Sequence, residues 1–597
     1  MTNYKAPLRD IAFAMSEVCD YQAHYERLFG ADHASPDLVE AITGEYARFC
    51  ENVLAPLYRT GDEEGCRWEG GQVHTPPGFK AAYDQFVAAG WPGLACDPVH
   101  GGQGLLRSLA LILGEMSGSA NIAFTLYTGG LAGAIETLAV FGTEEQRAVY
   151  EPPLIEGRWN ATMCLTEPHC GSDLGLLKTR AEPADDGQFV ISGTKIFITG
   201  GEHDLAENII HLVLARLPYA PEGNKGISLF IVPKLLPVGE ALEPNGVSCG
   251  SIEHKMGIKG SATCVMHFDR ARGYMLGEPN RGLSAMLRFI NASRVRAAFQ
   301  GVSHAELGFQ KSLSYARDRM QMRSLSGPTN PEGPADPIIV HPDVRRMLLT
   351  QKVFAEGNRV MLHYLAQQLD VVEHGVDDAQ RRCAERRLDL LTPIAKGFAT
   401  ETGFEAANLA LQCFGGHGYI REWGVEQNVR DARIATLYEG TTGIQGLDLI
   451  GRKVLANQGA ALREFCDEID AFRETSQVRS ALVEHCRALS ELTTEWQALA
   501  RQISQRAATD ANEMGAASVD FLMYSGYVCL AYFWARSAGA ALSKARAGGD
   551  GASFYQAKLK SADFYFNHLL PRSRAHAAAI GNGGASIMAL EEAHFAF

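Results

Sequence analysis

The sequence predicts a multidomain α+β protein: a helical N-terminal domain, a small central β-barrel or sandwich, a C-terminal four-helix bundle and an additional C-terminal helical domain. Three observations predict it. Apolar residues recur at three- and four-residue steps on both sides of a central region, the central region alternates in short runs bounded by Gly, Pro or Asp, and 597 residues are enough for roughly four domains. The boundaries read as 1–160, 161–285, 286–455 and 456–597.

In the first region, apolar residues at helical spacing span 37–58 and 107–115, with Gly101, Gly102 and Gly104 as a loop between them. That glycine cluster follows a Pro-containing loop rather than a strand, so it is not a dinucleotide fingerprint. Gly129, Gly130 and Gly133 lie within an apolar helix, where they either leave room for a long apolar ligand or let neighbouring elements pack closely. Strand-like runs follow at 189–199, 209–217, 227–233 and 264–269. The segment before them, 163–173, is unusual for a strand exit: Thr166 and Ser172 carry hydroxyls and Gly171 bares backbone N–H groups, which suits an anionic or heteroaromatic ligand. Helical spacing returns at 303–319, 345–369 and 388–414, and five prolines between 323 and 342 make that stretch a loop. Gly415, Gly416 and Gly418 break the last of these helices. Beyond 454, Leu482, Leu489, Leu492, Trp496, Leu499 and Ile503 share one helical face, 548–551 is a loop, and 553–570 is a final helix.

Composition limits the functions. Hydrophobic residues at 46% and charged residues at 21% are those of a globular chain, and exclude a disordered or collagen-like one. A formal charge of −14 argues against nucleic acid as a partner, so any polyanionic ligand must be held by local Arg, Lys and backbone N–H groups. The thirteen cysteines are odd in number and form no CxxC pair, which suggests neither a disulfide framework nor a zinc site and points to a reducing cytoplasm. The N-terminus shows no basic region followed by a long apolar run, so no secretory signal is expected. The most apolar stretch, 519–535, contains Asp520, Ser525 and several tyrosines; it reads as a buried bundle helix, with peripheral membrane contact as the alternative.

One carboxylate stands out. Glu439 lies between Tyr438 and Gly440, followed by Thr441 and Thr442. Gly440 lets backbone and ligand approach closely, and Tyr438 with Leu437 can dry the site and raise the carboxyl pKa, as a general base requires. The plain alternative is a helix-ending Glu–Gly turn with a solvated acid.

Four separated motifs weigh against that alternative. Cys164-Leu165-Thr166-Glu167 with Gly171-Ser172-Asp173, then Phe197-Ile198-Thr199, then Gln412 with Gly415, Gly416 and Gly418, and finally Arg430-Asp431 with Tyr438-Glu439-Gly440-Thr441, together resemble the acyl-CoA dehydrogenase family over about 40–455. The tail, through Gly451-Arg452-Lys453 and a further helical domain, resembles the family's long bacterial subgroup of fatty acyl-CoA and methylthiopropanoyl-CoA dehydrogenases. Cys170, Gln427 and Gly443 depart from the usual pattern.

The resemblance implies FAD as cofactor, held by Met163, Leu165, Thr166, Gly171, Ser172, Phe197, Thr199 and Thr441, with Arg319, Gln412, Gly415 and Gly416 reaching the FAD of a second subunit. It implies Glu439 as the base that takes the α-proton of an acyl-CoA while the β-hydrogen leaves as hydride to the flavin, giving a trans-2-enoyl thioester. Ser172, Asn291, Arg294, Tyr438 and Gly440 fall on the substrate side, with Arg296 competing for the place of Arg294. Fatty-acid β-oxidation with medium or long chains, an electron-transfer flavoprotein as electron acceptor and a homodimer follow from the same resemblance. The alternatives are a 3-methylthiopropanoyl-CoA dehydrogenase, an acyl-CoA oxidase, a tetramer, and a non-catalytic acyl-CoA-binding protein.

Overall fold

The structure, a computed structural model, describes residues 4–30, 33–184, 187–239, 241–475, 480–547 and 551–597. The chain divides into two compact units, one of residues 45–296 and one of residues 1–44 with 297–597.

In the first unit, a two-stranded hairpin, β1 (Arg67–Glu69) and β2 (Gln72–His74), interrupts the helices in a stretch where the sequence shows only helical spacing. The helix Arg107–Phe141 is longer than its clearest periodic segment because it holds two helices joined at Asn121, whose backbone is non-helical (φ −162°, ψ 91°). The Asn121 side chain caps the break: its Oδ1 accepts from Phe124 N at 3.2 Å and its Nδ2 donates to Leu54 O at 3.3 Å. The next helix, Glu144–Ile155, starts with a capping box made by Thr143 and Gln146.

Two of the three glycines on the helix Arg107–Phe141 serve packing. A Cβ on Gly130 would lie 2.6 Å from Ala161 O, and one on Gly133 would lie 2.5 Å from the Phe289 ring. Of the two readings the sequence allows, close packing is the one met at these two positions: strand and ring already fill the space. Only at Gly129 would a Cβ meet nothing nearer than Arg296 Cδ at 3.9 Å.

The strands that follow are β3 (Trp159–Cys164), β4 (Arg180–Pro183), β5 (Phe189–Thr199), β6 (Asn208–Arg216), β7 (Ile227–Pro233), a small hairpin of β8 (Leu235–Val238) and β9 (Ala241–Pro244), β10 (Val247–Ile252) and β11 (Thr263–Met275). β11 runs past the apolar 264–269 through Arg270 and Arg272, polar residues that face solvent while Ala271 stays buried. Pairing runs β11 to β5, β5 to β4, β4 to β6, β6 to β7 and β7 back to β11. That path closes on itself, which makes a small barrel with β10 and β3 added at its flanks. Two cores result: one holds Cys164, Ile191, Val213, Phe230 and Phe268, the other Leu131, Trp159, Leu212, Leu229 and Phe289.

In the second unit, three long helices, Gly282–Asp318 (from 297 onward), Pro342–His374 and Asp378–Phe414, make the bundle. The additional helices Val483–Ala507, Asn512–Ala547, Ala552–Phe564 and Ser573–Asn582 belong to the same unit. The apolar stretch 519–535 lies in the second of these, with Phe521, Leu522, Tyr524, Val528, Phe533 and Trp534 buried. This helix and Arg107–Phe141 are long and apolar enough to cross a membrane, yet both are mostly buried within the protein. The loop expected at 548–551 lies largely outside the described residues. The helix expected at 553–570 ends at Phe564 and is continued by the π-helical turn Tyr565–Leu569, but it is not the last one: Ser573–Asn582 and Ala585–Met588 follow it.

Missing side chains let these helices meet. A Cβ would lie 2.4 Å from Trp534 Nε1 at Gly357, 2.7 Å from Leu522 at Gly397 and 2.2 Å from the Phe398 ring at Gly526. Gly526→Ala is therefore an overpacking change, expected to cost about 1–3 kcal/mol and to be read as a lower melting temperature.

The N-terminal helices Leu8–Ala12 and Tyr21–Phe29, with the π-helical turn Phe13–Val18 between them, pack into the second unit. Asp10 is paired with Arg359 and Lys558; Glu17 is paired with Arg9 and with Lys544, both at 2.9 Å; and Tyr21 Oη donates to His363 O at 2.8 Å. These elements are too short and too interrupted to show a helical period in the sequence.

Candidate active site

The residues singled out in the sequence fall into two groups, one on each unit. Met163, Leu165, Thr166, Gly171, Ser172, Phe197, Thr199, Asn291 and Arg294 lie on the barrel-containing unit; Arg319, Gln412, Gly415, Gly416, Tyr438, Glu439, Gly440 and Thr441 lie on the bundle unit.

On the barrel, β5 carries a bulge. Cys264 pairs with Ile198 but Met266 pairs with Lys195, so Val265 opposes both Ile196 and Phe197. Phe197 takes a left-handed backbone (φ 59°) and is 58% exposed, an uncommon state for an aromatic residue. Ile196 N donates to Thr166 O at 2.9 Å, which brings the 163–173 segment beside the bulge. Thr166 and Thr199 are half-buried there, and Gly171 lies against the Thr166 methyl, 3.4 Å from where a Cβ would stand. Met163 and Leu165 pack on the apolar core, so they anchor the segment from below. Gly171 and Ser172 are exposed. A bared aromatic face beside two hydroxyls and exposed backbone fits a flat heteroaromatic group such as the isoalloxazine of FAD.

The anchor of this segment is a buried ion pair that the sequence did not reveal. Lys195 Nζ, fully buried, donates to Leu165 O at 2.9 Å and to Glu167 Oε1 at 2.8 Å. The Glu167 carboxylate also accepts from Thr179 N at 3.0 Å, Thr179 Oγ1 at 2.6 Å and Lys178 N at 2.7 Å. Burial alone would raise the Glu167 carboxyl, but the Lys195 charge and these hydrogen bonds outweigh it and hold the group below the usual carboxylate range. Glu167, His169 and Cys170 present ligand atoms within 4.8 Å of one another, yet the Lys195 ammonium on Glu167 already supplies the positive charge there. The available signal was a lysine within the alternating strand 189–199.

Of the two arginines read as substrate-side, Arg296 is held within the fold. Arg296 is bonded to Glu136, which also holds Arg107, so its guanidinium is committed to the fold. Arg294 is half-buried, with Asn291 Oδ1 at 3.5 Å from its Nη1.

On the bundle, the helix Glu426–Ala432 and the 3-10 turn Arg433–Thr436 deliver the chain to Tyr438, whose N–H donates to Ile434 O at 3.1 Å. Glu439 (φ 57°) and Gly440 (φ 88°) then take consecutive left-handed conformations. Thr441 caps the helix Thr442–Leu447, its hydroxyl accepting from Ile444 N at 3.2 Å. Gln445 Nε2 donates to Glu439 O at 3.0 Å and to Gly440 O at 3.2 Å, and Lys396 Nζ donates to Gly440 O at 2.7 Å. Tyr438 Oη donates to Gln300, and burial pushes the phenol far above its ordinary value. Glu439 itself is half-buried.

Arg319 lies just past the helix Gly282–Asp318, and Gln412, Gly415 and Gly416 at the end of Asp378–Phe414; all four are exposed. Tyr315 stacks on Phe414 at 4.1 Å, which joins these two helix ends on one surface. Gly415 has φ 59°, and neither it nor Gly416 would bring a Cβ within 4 Å of any atom. Of the positions that depart from the family pattern, Gln427 is buried and donates to Asp431 Oδ2 at 3.3 Å. At Gly443 a Cβ would meet only Thr441 Oγ1, at 3.8 Å.

Profiles of the acyl-CoA dehydrogenase N-terminal, middle and C-terminal domains match residues 37–158, 162–271 and 280–455, and an acetyl-CoA dehydrogenase C-terminal-like profile matches 464–591. The chain is 43% identical to the 3-methylmercaptopropionyl-CoA dehydrogenase of Ruegeria pomeroyi, over 98% of this chain and 99% of that one. It is 34% identical, over the whole of both chains, to the broad-specificity linear acyl-CoA dehydrogenase FadE5 of Mycobacterium tuberculosis. Its fold is that of an acyl-CoA dehydrogenase from Bacillus anthracis solved with FAD, with a TM-score of 0.72, 20% identity, and coverage of 92% of this chain and 89% of that one.

Proposed function

We propose, on the premise that this chain belongs to the acyl-CoA dehydrogenase family, that its substrate is a short, unbranched acyl-CoA of the size of 3-methylmercaptopropionyl-CoA. The protein is an oxidoreductase acting on the CH–CH bond of acyl-CoA, and its cofactor is FAD. The substrate reading rests on the space that Ala161 and Phe289 take beside Gly130 and Gly133, and on full-length similarity to an enzyme of that name.

FAD supplies the two-electron acceptance that lets the β-hydrogen leave as hydride. The chain supplies the rest. Phe197 offers its ring to the flavin, and Thr166, Thr199, Gly171 and Ser172 offer hydroxyl and peptide N–H groups to its polar edges. Arg319, Gln412, Gly415 and Gly416 form an exposed surface suited to the FAD of a second copy, with the guanidinium as its phosphate-binding element. Glu439 takes the α-proton at its carboxylate. An α-proton is weakly acidic, so the thioester carbonyl must be polarised as the proton leaves; the peptide N–H of Glu439 does this from the strained turn. Ser172, Asn291, Arg294 and Tyr438 position the substrate.

The electron acceptor in this reading is an electron-transfer flavoprotein and the assembly a homodimer, for which light scattering gives the mass directly. None of the thirteen cysteines is in a disulfide, which suits a reducing cytoplasm. An anaerobic flavin-bleaching screen from propionyl- to palmitoyl-CoA, including 3-methylmercaptopropionyl-CoA, decides the substrate. The expected kcat/KM maximum lies at butyryl- and 3-methylmercaptopropionyl-CoA. A maximum at palmitoyl-CoA would instead establish the fatty-acyl reading that the FadE5 similarity favours, and rapid peroxide release in air would establish an oxidase.

A further inference from the structure

We infer that Lys396 and Gln445 form a clamp that sets the reactive position of Glu439, acting as positioning residues for proton abstraction; this rests on Glu439 being the base. The turn needs such a clamp. Glu439 and Gly440 are both left-handed, and a non-glycine residue in that region persists only where its surroundings over-determine it. Glycine at 440 suits φ 88°, and a Cβ there would lie 2.6 Å from Gln445 Nε2 and push that amide off its two carbonyls.

The surroundings that determine the turn include two side chains, both fully buried. Gln445 Nε2 reaches the carbonyls of Glu439 and Gly440 at 3.0 and 3.2 Å, tying the turn to the helix that follows it. Lys396 Nζ reaches the Gly440 carbonyl at 2.7 Å from the middle of Asp378–Phe414, tying the same turn to the bundle. An ammonium in the core is costly unless it meets good acceptors, and a charge-assisted bond to a fixed carbonyl is stronger than a neutral one. The Gln445 Oε1 atom is buried without a hydrogen bond, a free-energy cost that fits a side chain whose donor half is the part in use. Reversing the amide would set its oxygen against both carbonyls. The two donors therefore fix the two consecutive peptides that follow the Glu439 Cα, and with them the direction from which the carboxylate is presented.

The test uses the flavin-loaded enzyme with Lys396→Met, Gln445→Leu and the double variant, beside Glu439→Gln. Four quantities are read: kcat per bound flavin, KM, melting temperature, and amide hydrogen exchange of the peptide containing 438–442. Each single variant is expected to lower kcat per flavin by about 10²-fold, the scale of an ångström-sized misplacement, with KM little changed and exchange in that peptide faster. The double variant is expected to be no worse than the poorer single one, because both residues hold one turn. Unchanged kcat per flavin in either single variant overturns the clamp, as do losses that multiply in the double variant. If Lys396→Met fails to bind flavin, Gln445→Leu decides alone by the same criterion. An active Glu439→Gln would overturn the assignment of the base, and is distinguished by slow amide exchange with normal turnover.

Discussion

Glu439→Gln is expected to keep its flavin and its fold while turnover falls by roughly 10²- to 10⁴-fold, the usual worth of a positioned general base. The amide has nearly the shape of the carboxylate but cannot accept the α-proton. The bonds from Gln445 and Lys396 are kept, because they go to the main-chain carbonyls of Glu439 and Gly440. Stopped-flow bleaching of the flavin by acyl-CoA reads the step directly. Near-normal bleaching in this variant would remove Glu439 from the mechanism, and loss of flavin would show that its role is structural.

Glu167→Ala should have the largest effect on stability, about 3–5 kcal/mol, because it leaves the Lys195 ammonium buried without its counter-charge. It also removes the acceptor for Lys178 N and for Thr179, and so frees the segment that carries Thr166, Gly171 and Ser172. The variant should therefore lose FAD as well as stability, measured by flavin content after gel filtration and by denaturant unfolding. The same pair gives the wild type a pH signature. The folded-state pKa of Glu167 is lowered, so its contribution is complete above the ordinary carboxylate range and is lost as pH falls through the folded value. Wild type should hold flavin at neutral pH and release it in acid; retention of flavin and stability by Glu167→Ala would show that the ion pair does not anchor the segment.

What the sequence showed depended on how local the cause was. β5 and β7 were legible to the residue, because Gly, Pro and Asp bound them and their own side chains carry the strand pattern. The helix Arg107–Phe141 was legible in pieces only, since Asn121 breaks its period and then repairs the break with its own side chain. Glu439 was visible as one carboxylate beside one glycine, but its partners were not. Lys195 lies 28 residues from Glu167 and Lys396 lies 44 from Gly440, separations at which spacing carries no information about contact. Arg294 and Arg296 are chemically equal in the sequence, and nothing in it shows that Arg296 binds Glu136, 160 residues away. The glycines at 130 and 133 allowed two readings, and only Ala161 and Phe289 exclude the open one.

The glycines at 357, 397 and 526 bear on how this chain can be cut and recombined. A boundary near residue 455 invites treatment of the last 140 or so residues as an optional module, to be trimmed or exchanged among relatives. Yet Trp534 and Leu522 fit hollows at Gly357 and Gly397, and Gly526 receives the Phe398 ring. The two surfaces are mould and cast. A transplanted tail would need the matching faces of Pro342–His374 and Asp378–Phe414 to travel with it, so the smallest exchangeable part is larger than the domain that the sequence marks off.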